Sequence, residues 1–505
     1  MHFKKRIISV LIICALTGSV LFATAMGILG LQGEESLFAR SHRETLYLWY
    51  TQSSLTDYLS SAAAAYNENS RVRVEPVLVP STEYMEQIND ASLSDGEIPD
   101  LFITTNDTLA KAYLAGLACE VPDKRGVLST SFFPKAALNA VSTEGRKVAY
   151  PLSFETTALF VNVSYLEEYA TNLVLAETAT EGGEEEKTSE NGQKEGEEET
   201  SGNDAAPELT PEQQQMVEEK VQSFLPETFT RLEEFANGYD APEQVENIFK
   251  WDVSSIFYNY AFPGAYLNVG GENGDDPEQI DLYNLSAIRA LNAYQKLHQF
   301  FFFEKKDSKY ADVIREFTEG KTVFTIGGID AVHTLEQARA DGTFPYEYLV
   351  LPLPAISEEL ATRPLSVTTV VAVNGYSEHI AQADDFAAFL ACDYTDPLYT
   401  YTGRLSANLG ATYDCDAFYT FRSIYDGSVS MPKMLETGNF WIQLEIALGD
   451  IWNGADANQT LKQVAETIAT QVKGETVELE RLTLPVEEEE TQEEITDETE
   501  TDGES

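Results

Sequence analysis

Cysteine and histidine are scarce in this 505-residue chain, which contains four of the former and five of the latter. The histidines are scattered and form no HExxH pair, so a zinc hydrolase would lack its ligands. No GxSxG elbow and no phosphate-binding loop occur, which argues against serine hydrolases and nucleotide-dependent enzymes. We therefore predict no catalytic residue, no metal site and no cofactor.

Positive charge is also in short supply, because 33 Lys and Arg stand against 84 Asp and Glu, for a formal net charge of −51. Phosphate binding needs basic side chains that displace counterions, so a nucleic-acid partner is not expected. Much of the acid is concentrated in two stretches. Residues 177–212 hold 13 acids and 2 Lys, and residues 487–505 hold 11 acids and no base.

A long stretch without charged residues lies close to the N-terminus. Lys4, Lys5 and Arg6 precede an uncharged run from Ile7 to Leu31, which as a helix would rise about 37 Å and could cross a ~30 Å hydrocarbon core. The sequence Ala23-Thr24-Ala25 also fits a signal-peptidase site. Residues 1–32 are thus predicted to be a membrane anchor or a signal peptide. Both place the remainder outside the cytoplasmic membrane.

Three cysteines would then lie in a compartment where disulfides can persist. Cys392 and Cys415 could pair, and the alternative is that Cys119, Cys392 and Cys415 are small buried residues.

Further along the chain, strand-like and helix-like segments alternate. Residues 45–49, 72–79 and 101–104 have the pattern of strands, and helical periodicity separates the first two of them. This alternation predicts an α/β fold with βαβ units. The pattern stops at residues 176–215, which have almost no apolar content and are predicted to be a disordered acidic insertion. Residues 485–505 are predicted to be a disordered acidic tail.

The run from Gly145 to Asn162, GRKVAYPLSFETTALFVN, indicates two strands with the acid Glu155 at the break between them. A carboxylate is costly to bury without a partner, so Glu155 is expected to face a polar cleft. This run and seven other blocks in order resemble the maltose-binding-protein-like solute-binding proteins of ABC importers. The other blocks are Leu48-Trp49-Tyr50, Gly96 to Phe102, Leu114 to Leu117, Leu225 to Phe229, Phe317 to Gly328, Tyr348 to Pro354 and Phe440-Trp441.

The resemblance implies a two-lobed periplasmic-binding-protein-like fold, in which each lobe is a mixed, mostly parallel sheet flanked by helices. Lobe 1 would comprise residues 44–152 and 367–421, and lobe 2 residues 153–366 and 422–474, with crossings near Ser153, Ser366 and residue 422. It further implies closure of the lobes around a small solute, most plausibly a sugar or oligosaccharide, and delivery of that solute to an ABC permease by a monomeric binding protein.

Candidate ligand contacts follow from matching positions in the resemblance. Glu155 and Asp107 fall on acids that face the family's cleft, although Asp107 would also suit a helix cap. Asp330 stands where maltose binders place a stacking Trp, and this difference argues against a maltose-like ligand. The remaining candidates are Ser53, Trp251, Asp252 and Trp441, of which Trp441 falls on a sugar-stacking aromatic. An ordinary core role is the alternative for both tryptophans.

Two other functions fit the same features. A cell-surface module that senses a ligand could use the same cleft, and the N-terminal segment and the acidic tail are compatible with it. A glycoside-active enzyme with paired carboxylates is a further alternative.

Overall fold

The computed structural model describes residues 44–94, 96–185, 209–301, 303, 308–434 and 439–484. The predicted N-terminal segment 1–32 and the predicted tail 485–505 lie outside the described residues.

The strands form where runs of β-branched and aromatic residues meet turn residues. They are β1 Thr45–Tyr50, β2 Arg73–Leu78, β3 Leu101–Thr105, β4 Ser142–Thr143, β5 Arg146–Lys147, β6 Ala149–Glu155, β7 Ala158–Asn162, β8 Asn247–Phe249, β9 Asn268–Val269, β10 Ile280–Asp281, β11 Thr322–Gly327, β12 Tyr348–Leu351, β13 Leu365–Val373, β14 Leu405–Ser406 and β15 Val429–Ser430.

The helices follow the 3.6-residue apolar periodicity of the sequence. They are α1 Thr56–Asn69, α2 Tyr84–Ser92, α3 Leu109–Leu114, α4 Lys135–Ala140, α5 Val163–Glu185, α6 Pro211–Phe224, α7 Phe229–Gly238, α8 Ile256–Asn259, α9 Leu285–Phe301, α10 Tyr310–Thr318, α11 Ile329–Ala340, α12 Ile380–Cys392, α13 Asp396–Thr402, α14 Asp416–Gly427, α15 Phe440–Trp452 and α16 Ala457–Lys473, with 3₁₀ turns at Ser53–Leu55 and Asn106–Thr108.

Two sheets organise the molecule, as predicted. Lobe 1 is built on the order β14-β6-β13-β3-β1-β2, with β15 paired to the start of β13, and lobe 2 on the order β12-β7-β11-β8. Both sheets are mixed, but parallel pairs do not predominate. Strand β13 runs antiparallel to β3 and β6, and β7 runs antiparallel to β11 and β12. Strands β7 and β13 each enter their sheet directly from the other lobe. Each therefore runs in the opposite direction to the neighbouring strands just named.

Two connections between the lobes lie next to each other. Strand β6 ends in lobe 1 at Glu155 and β7 begins in lobe 2 at Ala158, while β13 returns the chain to lobe 1 from Leu365. The hydroxyl of Thr156 donates to the Leu365 carbonyl oxygen at 2.9 Å, so the two connections touch. The third crossing, predicted near residue 422, stays a prediction. That position lies inside α14, whose buried Phe418, Phe421 and Tyr425 extend the helix.

The bounds of the predicted acidic insertion are wrong on both sides. Helix α5 continues through 176–185, and α6 begins at Pro211 behind a capping box between Thr210 and Gln213. The two helices pack together, and Val174 of α5 and Val221 of α6 are both buried in the same hydrophobic core. Burial of these valines helps to offset the entropic cost of ordering the two helices, which the polar composition of residues 176–215 could not offset by itself. The remaining residues, 186–208, lie outside the described residues.

Candidate ligand-binding cleft

A cleft of about 340 Å³ opens where the chain first passes from lobe 1 to lobe 2. Its volume is near the lower end of the roughly 300–1,000 Å³ that small-molecule sites occupy. Both lobes contribute to its walls. The lobe 1 wall consists of Ser54, Phe154, Glu155, Thr402, Gly403 and Arg404, the lobe 2 wall of Phe257, Tyr258, Tyr310, Gly328, Ile329 and Asp330, and Thr156 joins the two.

The lobe 1 wall is held by Arg404. Helix α13 ends at Thr402, its C-cap Gly403 lies in the left-handed region with φ of 70°, and Arg404 follows this turn and lines the cleft. Its Nη1 lies 3.3 Å from Glu155 Oε1 and donates to Thr369 Oγ1 at 3.2 Å, and its Nη2 donates to Gln52 Oε1 at 2.6 Å. The Arg404 side chain is 17% exposed and that of Glu155 is 49% exposed. Glu155 therefore faces the cleft with its charge partly compensated.

The lobe 2 wall is aromatic and carries one acid. The rings of Tyr258 and Tyr310 stack at 4.8 Å between centroids and 18° between planes. The Tyr310 hydroxyl accepts from the Gly328 N–H at 3.1 Å and donates to Asp330 Oδ1 at 2.7 Å. Burial, and to a lesser degree the charge of Asp330, raises the pKa of Tyr258. Burial likewise raises the pKa of Tyr310, so both hydroxyls are neutral at physiological pH.

Two predicted ligand contacts lie in the core of lobe 2, and we correct those predictions. Trp251 has no exposed surface; it stacks on Phe249, and its indole N–H donates to Asn259 Oδ1 at 2.9 Å. Asp252 is 5% exposed and is satisfied internally. Its Oδ1 accepts from the Ser254 N–H at 2.7 Å and its Oδ2 from the Tyr310 N–H at 3.1 Å. Asp252 thus holds the first residue of α10 from behind the wall.

Three further candidates do not line the cavity. Ser53 is exposed, and its neighbour Ser54 takes the place at the wall. Asp107 lies in a 3₁₀ turn after β3 and accepts from the Thr105 hydroxyl, without capping α3. Trp441 is half-buried and packs at 5.6 Å from Tyr260. Of the seven predicted positions, only Glu155 and Asp330 meet in the cavity wall.

Sequence reasoning missed Arg404, Tyr258 and Tyr310. A Gly-Arg pair after a helix is a weak signal, and Arg404 reaches Glu155 only because β14 pairs with β6. The two tyrosines come from helices 50 residues apart in the sequence, so their stacking has no local signature.

A larger cavity, of about 840 Å³, lies on lobe 2 against α7, α9 and Leu484. All of its lining comes from that lobe, so a ligand there would not join the two halves. Within the described ranges, no group of three or more His, Cys, Asp or Glu side chains could hold a metal ion. The three cysteines described are unpaired and part-buried, and burial raises the pKa of the Cys392 thiol to about 11.

A family model described as bacterial extracellular solute-binding protein matches residues 61–419. The chain belongs to this family. No curated protein matches the sequence. For the part of the chain that the structure describes, no helix is both long and apolar enough to cross a membrane.

Solved structures of binding proteins share the fold. The extracellular solute-binding protein from Staphylococcus aureus in complex with maltose has 20% identity and a TM-score of 0.63, over 85% of this chain and 98% of that chain. The maltose-binding periplasmic protein of Listeria monocytogenes, also with maltose, has 16% identity and a TM-score of 0.60, over 86% and 100%. A Streptococcus pneumoniae protein in complex with maltopentaose has 17% identity and a TM-score of 0.57, over 85% and 99%.

These likenesses confirm the predicted fold class of this solute-binding protein. Both the family and these structural neighbours are binding proteins, and the family is extracellular.

Proposed function

We propose that this solute-binding protein captures a saccharide between its lobes and delivers it to an ABC permease of a bacterial membrane. The observation that carries this proposal is a single cleft to which both lobes contribute carboxylates or aromatic rings. Carboxylates accept hydrogen bonds from sugar hydroxyls, and such charge-assisted bonds are roughly twice as strong as neutral ones. Aromatic rings offer flat apolar surface to the CH face of a sugar ring. The maltose and maltopentaose complexes of the structural neighbours support the choice of ligand class.

Within this function, the carboxylates of Glu155 in lobe 1 and Asp330 in lobe 2 accept hydrogen bonds from polar groups of the ligand, and Phe257 and Tyr258 provide apolar surface. Arg404 positions Glu155. Because these groups come from two lobes, a ligand touches all of them only when the lobes approach. Closure then follows from tighter binding to the closed form than to the open one.

The predicted contacts Ser53, Asp107 and Trp441 remain proposals, although none of them lines the cavity. Their alanine variants test them. A saccharide affinity unchanged in Trp441→Ala would remove that residue from the site.

We further propose that the protein is a monomer that acts outside the cytoplasmic membrane, either anchored by its N-terminal segment or released after cleavage. Cell fractionation combined with the intact mass of the purified protein separates the two forms. Sedimentation velocity measures the oligomeric state.

A thermal-shift screen tests the ligand class, using monosaccharides, oligosaccharides, amino acids and polyamines. A ligand that binds only the native state stabilises it by RT ln(1 + [L]/Kd), so a true ligand raises Tm as its concentration rises. We expect saccharides to give the largest shifts. Stabilisation by amino acids alone would contradict the proposal. Chromatography of the bound saccharide after incubation should recover it intact, and any cleavage product would instead favour a glycoside-active enzyme.

A further inference from the structure

The charged groups of the cleft are unequally compensated. Its walls contain two carboxylates, those of Glu155 and Asp330, and one cation, Arg404. Arg404 already contacts acceptors on Glu155, Thr369 and Gln52. The cation is therefore committed to lobe 1, and it supplies no counter-charge to the acid of lobe 2.

Asp330 is exposed to the cleft, and its contacts are neutral. Oδ1 accepts from the Tyr310 hydroxyl at 2.7 Å. Among the described residues no Lys, Arg or His nitrogen lies within 4.0 Å of its carboxylate. Asp330 does stand in the first turn of α11, where the helix dipole favours an anion. Solvent screens the interaction with the helix dipole at an exposed helix end. The Asp330 carboxylate can therefore still accept a direct charge-assisted hydrogen bond from a ligand.

The surroundings of Asp330 suit a positively charged nitrogen attached to an apolar or hydroxylated ring. The aromatic rings of Tyr258 and Tyr310 form the adjoining surface, and aromatic π-systems attract cations within about 6 Å of their centroids. Both tyrosine hydroxyls are neutral, because burial raises the pKa of each, so Asp330 is the one charged residue among those that line the cleft from lobe 2. The acidic chain as a whole, at −51, also raises the local concentration of cations.

We propose that the solute carries a protonated amine, as amino sugars do, and that the Asp330 carboxylate binds it beside the Tyr258–Tyr310 pair. This inference rests on the proposed saccharide-binding function and narrows it to one chemical class. Glu155, with Arg404 at its side, is left to bind hydroxyl groups of the same molecule.

Isothermal titration calorimetry at about 0.15 M salt tests the inference, with hexosamine mono- and disaccharides as probes. Each is compared with its N-acetylated form and with the corresponding neutral sugar, so that only the charge on nitrogen or its presence changes. We expect the amine to bind at least tenfold more tightly than either partner. In Asp330→Asn that preference should fall to less than threefold.

The matched control is Asp416→Asn. Asp416 is an exposed acid in the first turn of α14, a helix of the same length as α11, and lies outside the cleft wall. Its substitution removes the same total charge, so the amine preference should persist. Equal loss in both variants would show that the overall charge, and not Asp330, attracts the amine, and would overturn the inference.

Two other results separate this inference from the function on which it rests. If neutral or acetylated sugars bind as tightly as amines, the amine inference fails while saccharide binding stands. If spermidine binds and no sugar of any class does, the saccharide proposal fails.

Discussion

The two walls of the cleft are built differently. In lobe 1 the acid Glu155 ends a hinge strand and is met by Arg404, which three contacts hold in place. In lobe 2 the acid Asp330 lies in the first turn of a helix, and among the described residues its carboxylate accepts a hydrogen bond only from the neutral hydroxyl of Tyr310. In the lobe 1 wall the charge of Glu155 is partly compensated by Arg404, whereas in the lobe 2 wall the negative charge of Asp330 lies beside aromatic rings. We infer that lobe 1 orients the solute and lobe 2 discriminates between solutes.

The largest expected effect concerns the support behind the lobe 2 wall. Trp251→Ala removes a fully buried indole that stacks on Phe249, so we expect a loss of about 3–5 kcal/mol in the free energy of unfolding. Trp441→Ala is the matched control, because that indole is only half-buried, and its cost should stay below about 2 kcal/mol. Denaturant titration measures both. Equal costs would show that Trp251 is not the core residue described.

A second effect lies at the junction between the two lobes. Lys433 follows β15, is 1% exposed, and donates to carbonyl oxygens of Asn139, at 2.7 Å, and Ser142. Burial lowers its pKa from 10.5 to about 7, with Lys147 adding to the lowering and Asp275 opposing it. The folded state loses this proton at a lower pH than the unfolded state does. The free-energy cost of burying the charged amine is therefore present in full below about pH 7. Between that pH and about pH 10.5, the contribution of Lys433 to the free energy of unfolding rises as the pH rises.

Urea titrations of the wild type and Lys433→Met across pH 7–10.5 isolate this contribution. The wild type should gain a few kcal/mol relative to the variant's curve over that window. Lys473→Met, at the end of α16, is the control and should follow the wild-type curve. Parallel curves for wild type and Lys433→Met would contradict the assignment.

The substitution Arg404→Met removes the ion pair with Glu155 in the lobe 1 wall. Loss of the guanidinium leaves Glu155 unpaired and free to move, so saccharide affinity should fall about tenfold, or roughly 1.4 kcal/mol. The double variant with Glu155→Gln should lose less than the sum of the single losses, since residues in contact couple. Calorimetry measures the cycle. Strict additivity would mean that the ion pair does not position Glu155 for binding.

The smallest effect is expected from Tyr310→Phe in the lobe 2 wall. The variant keeps the ring stack with Tyr258 and removes the hydroxyl that links Gly328 to Asp330. We expect a cost of about 0.5–1.5 kcal/mol, in stability or in affinity. Tyr376→Phe, at an exposed tyrosine outside the cleft wall, should change neither quantity. A Tyr310→Phe variant with wild-type behaviour would show that the link to Asp330 carries no energy.

Sequence patterns predicted the fold well because its strands and helices follow local periodicity. The break at Glu155 between β6 and β7 was visible in one run of residues. The extent of α5 and α6 was not, since it depends on valines that become buried only when the two helices pack together.

The cleft was predicted less completely, for a similar reason. Glu155 and Asp330 were assigned by matching positions in the family resemblance, and both line the cavity beside strand ends. Trp251 and Asp252 follow β8 in the same manner, yet packing against Phe249 and α10 directs them into the core. Arg404 and Tyr310 enter the site through strand pairing and helix packing between distant parts of the chain, which a local pattern cannot show.

The claim that one solute is held by both walls is tested most directly by hydrogen–deuterium exchange, measured with and without the saccharide that gives the largest thermal shift. The account predicts slower exchange around residues 153–157 and 402–406 of lobe 1 and, in the same experiment, around 256–260 and 327–331 of lobe 2. Protection confined to one lobe would contradict it.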